Sequence, residues 1–265
     1  MDALKVYQVV LFICVCGLIV STLEYLAIGR SFSSVGVYSW KIIQLRFNAP
    51  HGRYIKSAFD VLFNEKGVKV LLILRLLSLL LVLAVPIDGA WFSLVISLLV
   101  VNNLAFNWRR LLGDDGSDQM SSIILITLAL CVGTRGSEFI LNVGLWFIAL
   151  QACLSYNAAG IAKLISPQWR SGEAIYRIFN TGTYGLKWVA RFLENHRGMC
   201  VLLCWSVIIM ETLFPLCLVL PEPWNWTFFI WGALFHLQCA VIMGLNSFLW
   251  AFIATYPAII YVSSR

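Results

Sequence analysis

The chain alternates long apolar runs with short polar or basic stretches, and the length of the runs sets its class. A helix needs about 20 residues to cross a hydrocarbon core. Runs of that order occupy residues 7–28, 68–85, 90–106, 139–165 and 199–220, with a shorter run at 121–133. Residues 226–262 are almost continuously apolar, too long for one helix, and Gly244, Leu245 and Asn246 mark the expected break. That gives a seventh span and a shorter eighth. Pro86 stops the second run, and Pro221 and Pro223 stop the sixth, because proline lacks the N–H that would extend the helix. The pattern predicts an all-α, polytopic membrane helical bundle with seven or eight transmembrane helices, forming a single domain over residues 1–265.

Two of the intervening segments differ from plain loops. Residues 29–67 are mixed and basic. Residues 166–198 interleave Trp169, Tyr176, Phe179, Trp188 and Phe192 with Arg170, Arg177, Lys187 and Arg191, the composition of amphipathic helices lying in the membrane interface.

Composition narrows the picture. Of 265 residues, 60% are apolar and 12% are charged, against about 25% charged in a soluble domain. A typical soluble enzyme, a disordered chain and a disulfide scaffold are excluded. The net charge of +6 comes from bases between the apolar runs, which points to membrane orientation rather than to nucleic acid. The segments after the first, third and fifth runs hold most of these bases, so the positive-inside rule places them in the cytoplasm and the N-terminus outside. The first run carries Glu24 and lacks a small-x-small cleavage site, so it is expected to be a retained span. The eight cysteines lie within or at the edge of apolar runs, where cysteine acts as a small hydrophobe.

Against so few charges, ionisable groups at membrane depth become the candidate chemistry. They are Glu24, Arg75, Lys163, Glu211 and His236. Lys163 follows Tyr156, Asn157, Ala159 and Gly160, and helical spacing puts Tyr156, Gly160 and Lys163 on one face. The small residues admit a close helix or ligand. A dry site disfavours a charged amine, and a neutral amine is a general base; the competing reading is a lysine snorkelling to the nearby interface. Glu211 lies four residues before Pro215, whose missing N–H leaves the carbonyl of residue 211 without its helical partner. A carboxyl and a free carbonyl at one depth would bind a cation or orient a base, or the carboxyl serves as an interhelical hydrogen-bond donor. His236 with Cys239 at i+3 is too sparse for a metal site, so no metal is expected and a histidine hydrogen-bonded beside a pocket is favoured. Asn103 shares a face with Asn107 and is placed to bond a neighbouring helix or a ligand carbonyl. Arg75 and Glu24 are candidates for pairing with each other or with other acids. The polar stretch from Gly113 through Asp114, Asp115 and Asp118 to Gln119 lacks the later bidentate Glu of a calcium loop and is expected to be a tight turn.

The run Ala159-Gly160-Ile161-Ala162-Lys163-Leu164 with Trp169 and Gly172 resembles the AG-x-x-K-L…W-x-x-G element of the HTTM (horizontally transferred transmembrane) domain family. Phe235-His236 followed by Gly244 and Phe248 resembles the family's later Phe-His…Gly-x-x-x-F element, and the stretch GDDGSDQM at 113–120 is similar to bacterial members. The family includes the membrane part of vitamin K-dependent gamma-carboxylase. The resemblance implies helices around a quinol pocket, with a quinol of vitamin K or menaquinone type as cofactor. In the carboxylases a lysine of this element deprotonates the hydroquinone, and Lys163 matches it; where they tend to carry two adjacent lysines, this chain has Ala162 first. His236 and Glu211 are then expected to line the pocket or assist proton movement. Tyr156, Asn157, Gly160, Trp169 and Asn103 are expected to bind the ligand. Lacking a large extramembrane domain within these 265 residues, the chain is more similar to members of the sporulation-delaying protein B type. That implies a bacterial cytoplasmic-membrane protein that matures a peptide with a partner membrane protein. The alternative is a non-enzymatic scaffold, immunity or export partner of a secreted peptide.

Overall fold

The computed structural model describes residues 2–46, 53–110, 115–182 and 184–264. Gly113 and Asp114, the start of the expected polar turn, lie outside the described residues, as does Arg265. Among the described residues the regular structure is helical and no strand occurs. In chain order the helices are α1 (Ala3–Ala27), α2 (Trp40–Ile43), α3 (Arg53–Phe63), α4 (Glu65–Ala84), α5 (Ala90–Arg110), α6 (Gly116–Leu128) and α7 (Glu138–Ile165). They continue with α8 (Pro167–Arg170), α9 (Glu173–Phe179), α10 (Lys187–Asn195), α11 (Arg197–Leu213), α12 (Trp226–Met243), α13 (Asn246–Ile253) and α14 (Tyr256–Ser263).

Eight of these stretches are long and apolar enough to cross a membrane. They are α1, α4, α5, α6 with its π-helical extension to Gly133, α7, α11 with its 3-10 extension to Leu218, α12, and α13 continued by α14. The fold is therefore an all-α assembly of a multi-pass membrane protein. Large apolar side chains such as Leu74, Leu77 and Leu81 on α4 and Leu94, Leu98 and Val101 on α5 stay exposed, the pattern of a surface that meets lipid rather than water.

Local chemistry sets the helix ends. The side chain of Asn64 accepts the N–H of Gly67 at 2.9 Å and caps α4, satisfying one of the orphan donors of the first turn. Val85 turns extended before Pro86, as a residue preceding proline should. Asp115 caps α6 by accepting the N–H groups of Ser117 at 2.9 Å and Asp118 at 3.2 Å. Gly244 adopts φ +72°, which a residue without Cβ does at no steric cost. Its N–H reaches the carbonyl of Ala240, and that of Leu245 reaches Cys239, both at 3.1 Å. The expected break at 244–246 is thus a glycine C-terminal cap.

The chain divides into two compact units. One comprises Met1–Val10 with Asn142–Arg265, the other Leu11–Leu141. In the Leu11–Leu141 unit a polar network links consecutive helices. Arg75 on α4 donates to Asn103 Oδ1 on α5 at 2.8 Å. Asn103 and Asn107 both donate to Ser122 Oγ on α6, at 3.0 and 3.1 Å. Arg110 bonds Tyr25 and Asn107 and pairs with Asp118 at 2.7 Å. Arg109 donates to the carbonyls of Phe63 at 2.8 Å and Tyr38 at 2.6 Å, fastening the segment before α4 to the end of α5. Interhelical hydrogen bonds of this kind contribute about 0.6 kcal/mol each in a membrane.

In the other unit, the expected interfacial segment 166–198 is α8, α9 and α10. Ile175, Val189 and Leu193 pack with Cys200 and Cys204 of α11, while Trp188 and Phe192 remain exposed. Gly172 takes φ +83° beside the backbone of Val201, letting the α8–α9 turn lie against α11. All eight cysteines are free thiols.

Candidate functional site

The unit containing Asn142–Arg265 encloses a cavity of about 770 Å³, within the range of small-molecule sites. One wall is transmembrane: Tyr156 and Lys163 of α7, Glu211 of α11, His236 of α12 and Phe252 of α13. The other wall is interfacial, built from Trp169, Ile175, Trp188 and Phe192 of α8, α9 and α10. The amphipathic segment is therefore half of the pocket.

Two polar constellations interrupt this apolar lining. At the first, Lys163 Nζ donates to Glu211 Oε2 at 2.6 Å. The lysine also lies 5.1 Å from the centre of the Trp169 ring, within cation–π range. Side-chain exposure is 19% for Lys163 and 6% for Glu211, so the lysine points inward to a carboxylate instead of snorkelling to the interface. At the second, Tyr156 Oη lies 2.7 Å from His236 Nε2 and 3.1 Å from Tyr256 Oη. Phe214 stacks on Tyr156 at 3.9 Å and Phe252 on His236 at 4.7 Å, which holds both rings in plane.

His236 Nδ1 is buried and has no hydrogen-bond partner among the described residues. A neutral imidazole carries one donor and one acceptor, and Tyr156 decides which is which. If Tyr156 donates to Nε2, Nδ1–H is a donor; if Nε2–H donates to Tyr156, Nδ1 accepts. In either state one buried polar atom of His236, a residue of the cavity lining, is left unsatisfied, at a cost of about 1–3 kcal/mol.

Close helix approach makes the Lys163–Glu211 contact possible. A Cβ on Gly160 would overlap the backbone of Glu211 and Thr212, so glycine is required for α7 to lie this near α11. Asn157 then donates to the Thr212 carbonyl at 2.8 Å. The helix tightens to 3-10 winding from Phe214 to Leu218 around Pro215. An i+3 partner for the Thr212 carbonyl would be the proline nitrogen, so Asn157 supplies the missing donor. The carbonyl met from α7 is thus that of Thr212, one residue beyond the carbonyl of residue 211 that Pro215 was expected to leave free.

Of the residues singled out in the sequence, Tyr156, Lys163, Trp169, Glu211 and His236 come together around the cavity. Asn157 and Gly160 instead join α7 to α11. Asn103 belongs to the Leu11–Leu141 unit, bonded to Arg75 and Ser122. Arg75 has its hydrogen bond to Asn103, and Glu24 is exposed. Among the described residues no three of His, Cys, Asp and Glu come close enough to hold a metal ion. Sequence reasoning missed Tyr256 and Phe252, which lie in an apolar run with no feature to distinguish them.

No family model, no curated protein and no solved structure matches this chain.

Proposed function

We propose that this chain is an HTTM-type protein of the bacterial cytoplasmic membrane that binds a quinol, of vitamin K or menaquinone type. In this reading Lys163 is the base in the modification or maturation of a peptide substrate, alongside a partner membrane protein. One observation carries it: an apolar cavity walled by an interfacial helical segment, with the Lys163–Glu211 pair and His236 in its lining. Those residues fit the group. The apolar walls suit a ring with a lipid tail, and two separate polar points suit a ring with two oxygen substituents.

A bound quinol supplies acidic hydroxyls and a store of two electrons. The chain's own part is proton handling and positioning. Lys163 Nζ can take up a proton only after giving one away, and Glu211 Oε2 at 2.6 Å is placed to receive it. His236 is the second polar group of the lining, its ring set by Tyr156 and Phe252. Tyr156 and Tyr256 extend this into a chain of exchangeable protons. Trp169 flanks the amine at cation–π distance, a contact made by its charged form.

The test is mass spectrometry of the mature peptide from cells expressing the intact protein or Lys163→Ala, with quinone extraction from the purified protein. Loss of the mass change in Lys163→Ala and co-purifying quinone are the expected results. An unchanged peptide mass in Lys163→Ala sinks the base role.

The second reading, a non-enzymatic membrane scaffold for a secreted peptide, draws on the same ion pair. Bridging α7 and α11, Lys163 and Glu211 also serve as a clamp. Full peptide maturation in the Lys163→Met/Glu211→Gln double variant, with a stable partner complex and no bound quinone, would favour it.

A further inference from the structure

The outer face of α10, in the Asn142–Arg265 unit, is not accounted for by the cavity. Helical spacing divides this helix into three adjoining stripes, each an i,i+4 pair. Val189 and Leu193 are buried and pack with Cys200 and Cys204 of α11. Trp188 and Phe192 touch the cavity with part of their surface, yet stay 67% and 46% exposed. Lys187 and Arg191 form the third stripe and are exposed. A helix that met only protein and water would have no use for the exposed aromatic stripe between the other two.

Two further observations say what covers that stripe. The first is depth. The span α7 ends at Ile165, just before α8 starts at Pro167, and the span that begins α11 starts at Arg197, just after α10 ends at Asn195. The segment is therefore tied at both ends to the ends of membrane-crossing helices, which holds it at the membrane boundary, where tryptophan and bases belong. The second is charge. Residues 166–198 carry five bases and two acids. Glu173 accepts Arg177 at 2.9 Å and Arg197 at 3.4 Å, and Arg197 also stacks on Tyr176. Among the described residues Arg170, Lys187 and Arg191 have no ion pair, and neither has Glu194, the other acid. On α10 two free bases thus face one free acid.

We propose that α10 is a recognition site for an anionic phospholipid. Lys187 and Arg191 meet its acidic headgroup, and Trp188 and Phe192 lie against its acyl chains. The aromatic stripe supplies the apolar burial and the bases the attraction to an anionic leaflet that interfacial helices use. A zwitterionic lipid carries its own cation beside the phosphate and gains less from the two bases. A soluble phosphate leaves the aromatic stripe uncovered. The two stripes side by side fit a molecule charged at one end and apolar along the rest. The surface is distinct from Lys163 and Glu211 and does not depend on which ligand the cavity takes.

Trp188 is a built-in reporter, read as the fluorescence difference between the intact chain and Trp188→Phe. Both are reconstituted in bilayers of dibrominated phosphatidylcholine, whose bromines quench a tryptophan that touches acyl chains. Unbrominated phosphatidylglycerol or phosphatidylcholine is then titrated in. Bromolipid should quench Trp188, and phosphatidylglycerol should relieve the quenching about fivefold more effectively than phosphatidylcholine. That factor follows from one net positive charge on α10 at about 1 kcal/mol per charge. The preference should disappear at about 1 M salt, where the Debye length is about 3 Å, an arm that needs no variant. It should also disappear in Lys187→Gln/Arg191→Gln, read against the same double variant with Trp188→Phe. Arg135→Gln, at an exposed base before the opposite end of α7, should keep it. Quenching of Trp188 by aqueous iodide instead of bromolipid would overturn the proposal. So would equal relief by the two lipids, a preference that survives in Lys187→Gln/Arg191→Gln, or one that is lost equally in Arg135→Gln.

Discussion

The Lys163–Glu211 pair lends itself to a double-mutant cycle whose outcome depends on burial. A fully exposed pair contributes about 0–1 kcal/mol. Stranding one charge of a fully buried pair costs about 3–5 kcal/mol. With Glu211 at 6% and Lys163 at 19% side-chain exposure, this pair lies near the buried limit with some relief at the amine. Glu211→Gln should therefore destabilise by about 2–4 kcal/mol, since it leaves an ammonium facing an apolar cavity. Lys163→Met should cost a similar amount by leaving the carboxylate, plus up to about 1 kcal/mol for the lost contact with Trp169. The double variant removes both charges and should lie within about 1 kcal/mol of the intact protein, because a buried pair replaced by neutral side chains of similar volume is often neutral. The readout is the unfolding free energy of all four proteins in one detergent, from denaturant titrations followed by tryptophan fluorescence. A coupling of at least about 3 kcal/mol is expected, well above the roughly 0.3–0.5 kcal/mol within which distant sites add. Additive single effects would mean that the two groups are solvated separately, and both the proton relay and the clamp would fail.

Two further perturbations test the scaffold around the cavity. Gly160→Leu drives a side chain into the backbone of Thr212 and should destabilise by about 1–3 kcal/mol or more, whereas Gly198→Ala, with open space around its Cβ, should be neutral or stabilising by up to about 1 kcal/mol. Equal effects at the two positions, measured as Tm, would contradict the close approach of α7 and α11. Tyr156→Phe removes the hydroxyl shared by His236 and Tyr256 and should cost about 1–3 kcal/mol. By contrast, an unchanged Tm in Tyr156→Phe would show that the hydroxyl is met by water instead.

What the sequence disclosed, and what it did not, follows from the range of the forces involved. Helix ends are local events, so Pro86 and Gly244 announced them along the chain and the eight crossings fall close to the expected runs. Ionisable residues at depth are rare and costly, so Lys163, Glu211 and His236 stood out before their neighbours were known. Their partners were another matter, because pairing depends on the depth and rotation of separate helices. A cation such as Arg75 suggests an acid, Glu24 or another; the structure shows its hydrogen bond to Asn103, a residue expected by default to bond a neighbouring helix but also a candidate for a ligand. Tyr256 gave no sign at all, since one tyrosine in an apolar run looks like any other lipid-facing aromatic. Lipid adds to the difficulty, for an apolar face that meets a helix and one that meets an acyl chain have the same composition. Steric absence is the exception. Gly160 has no side chain to offer lipid, and its place one turn before Lys163 marked the side of α7 open to a close helix or a ligand; the structure puts the backbone of Glu211 and Thr212 there. The missing Cβ thus marked a place of close approach that no apolar side chain marks, and what approaches is α11, which carries Glu211.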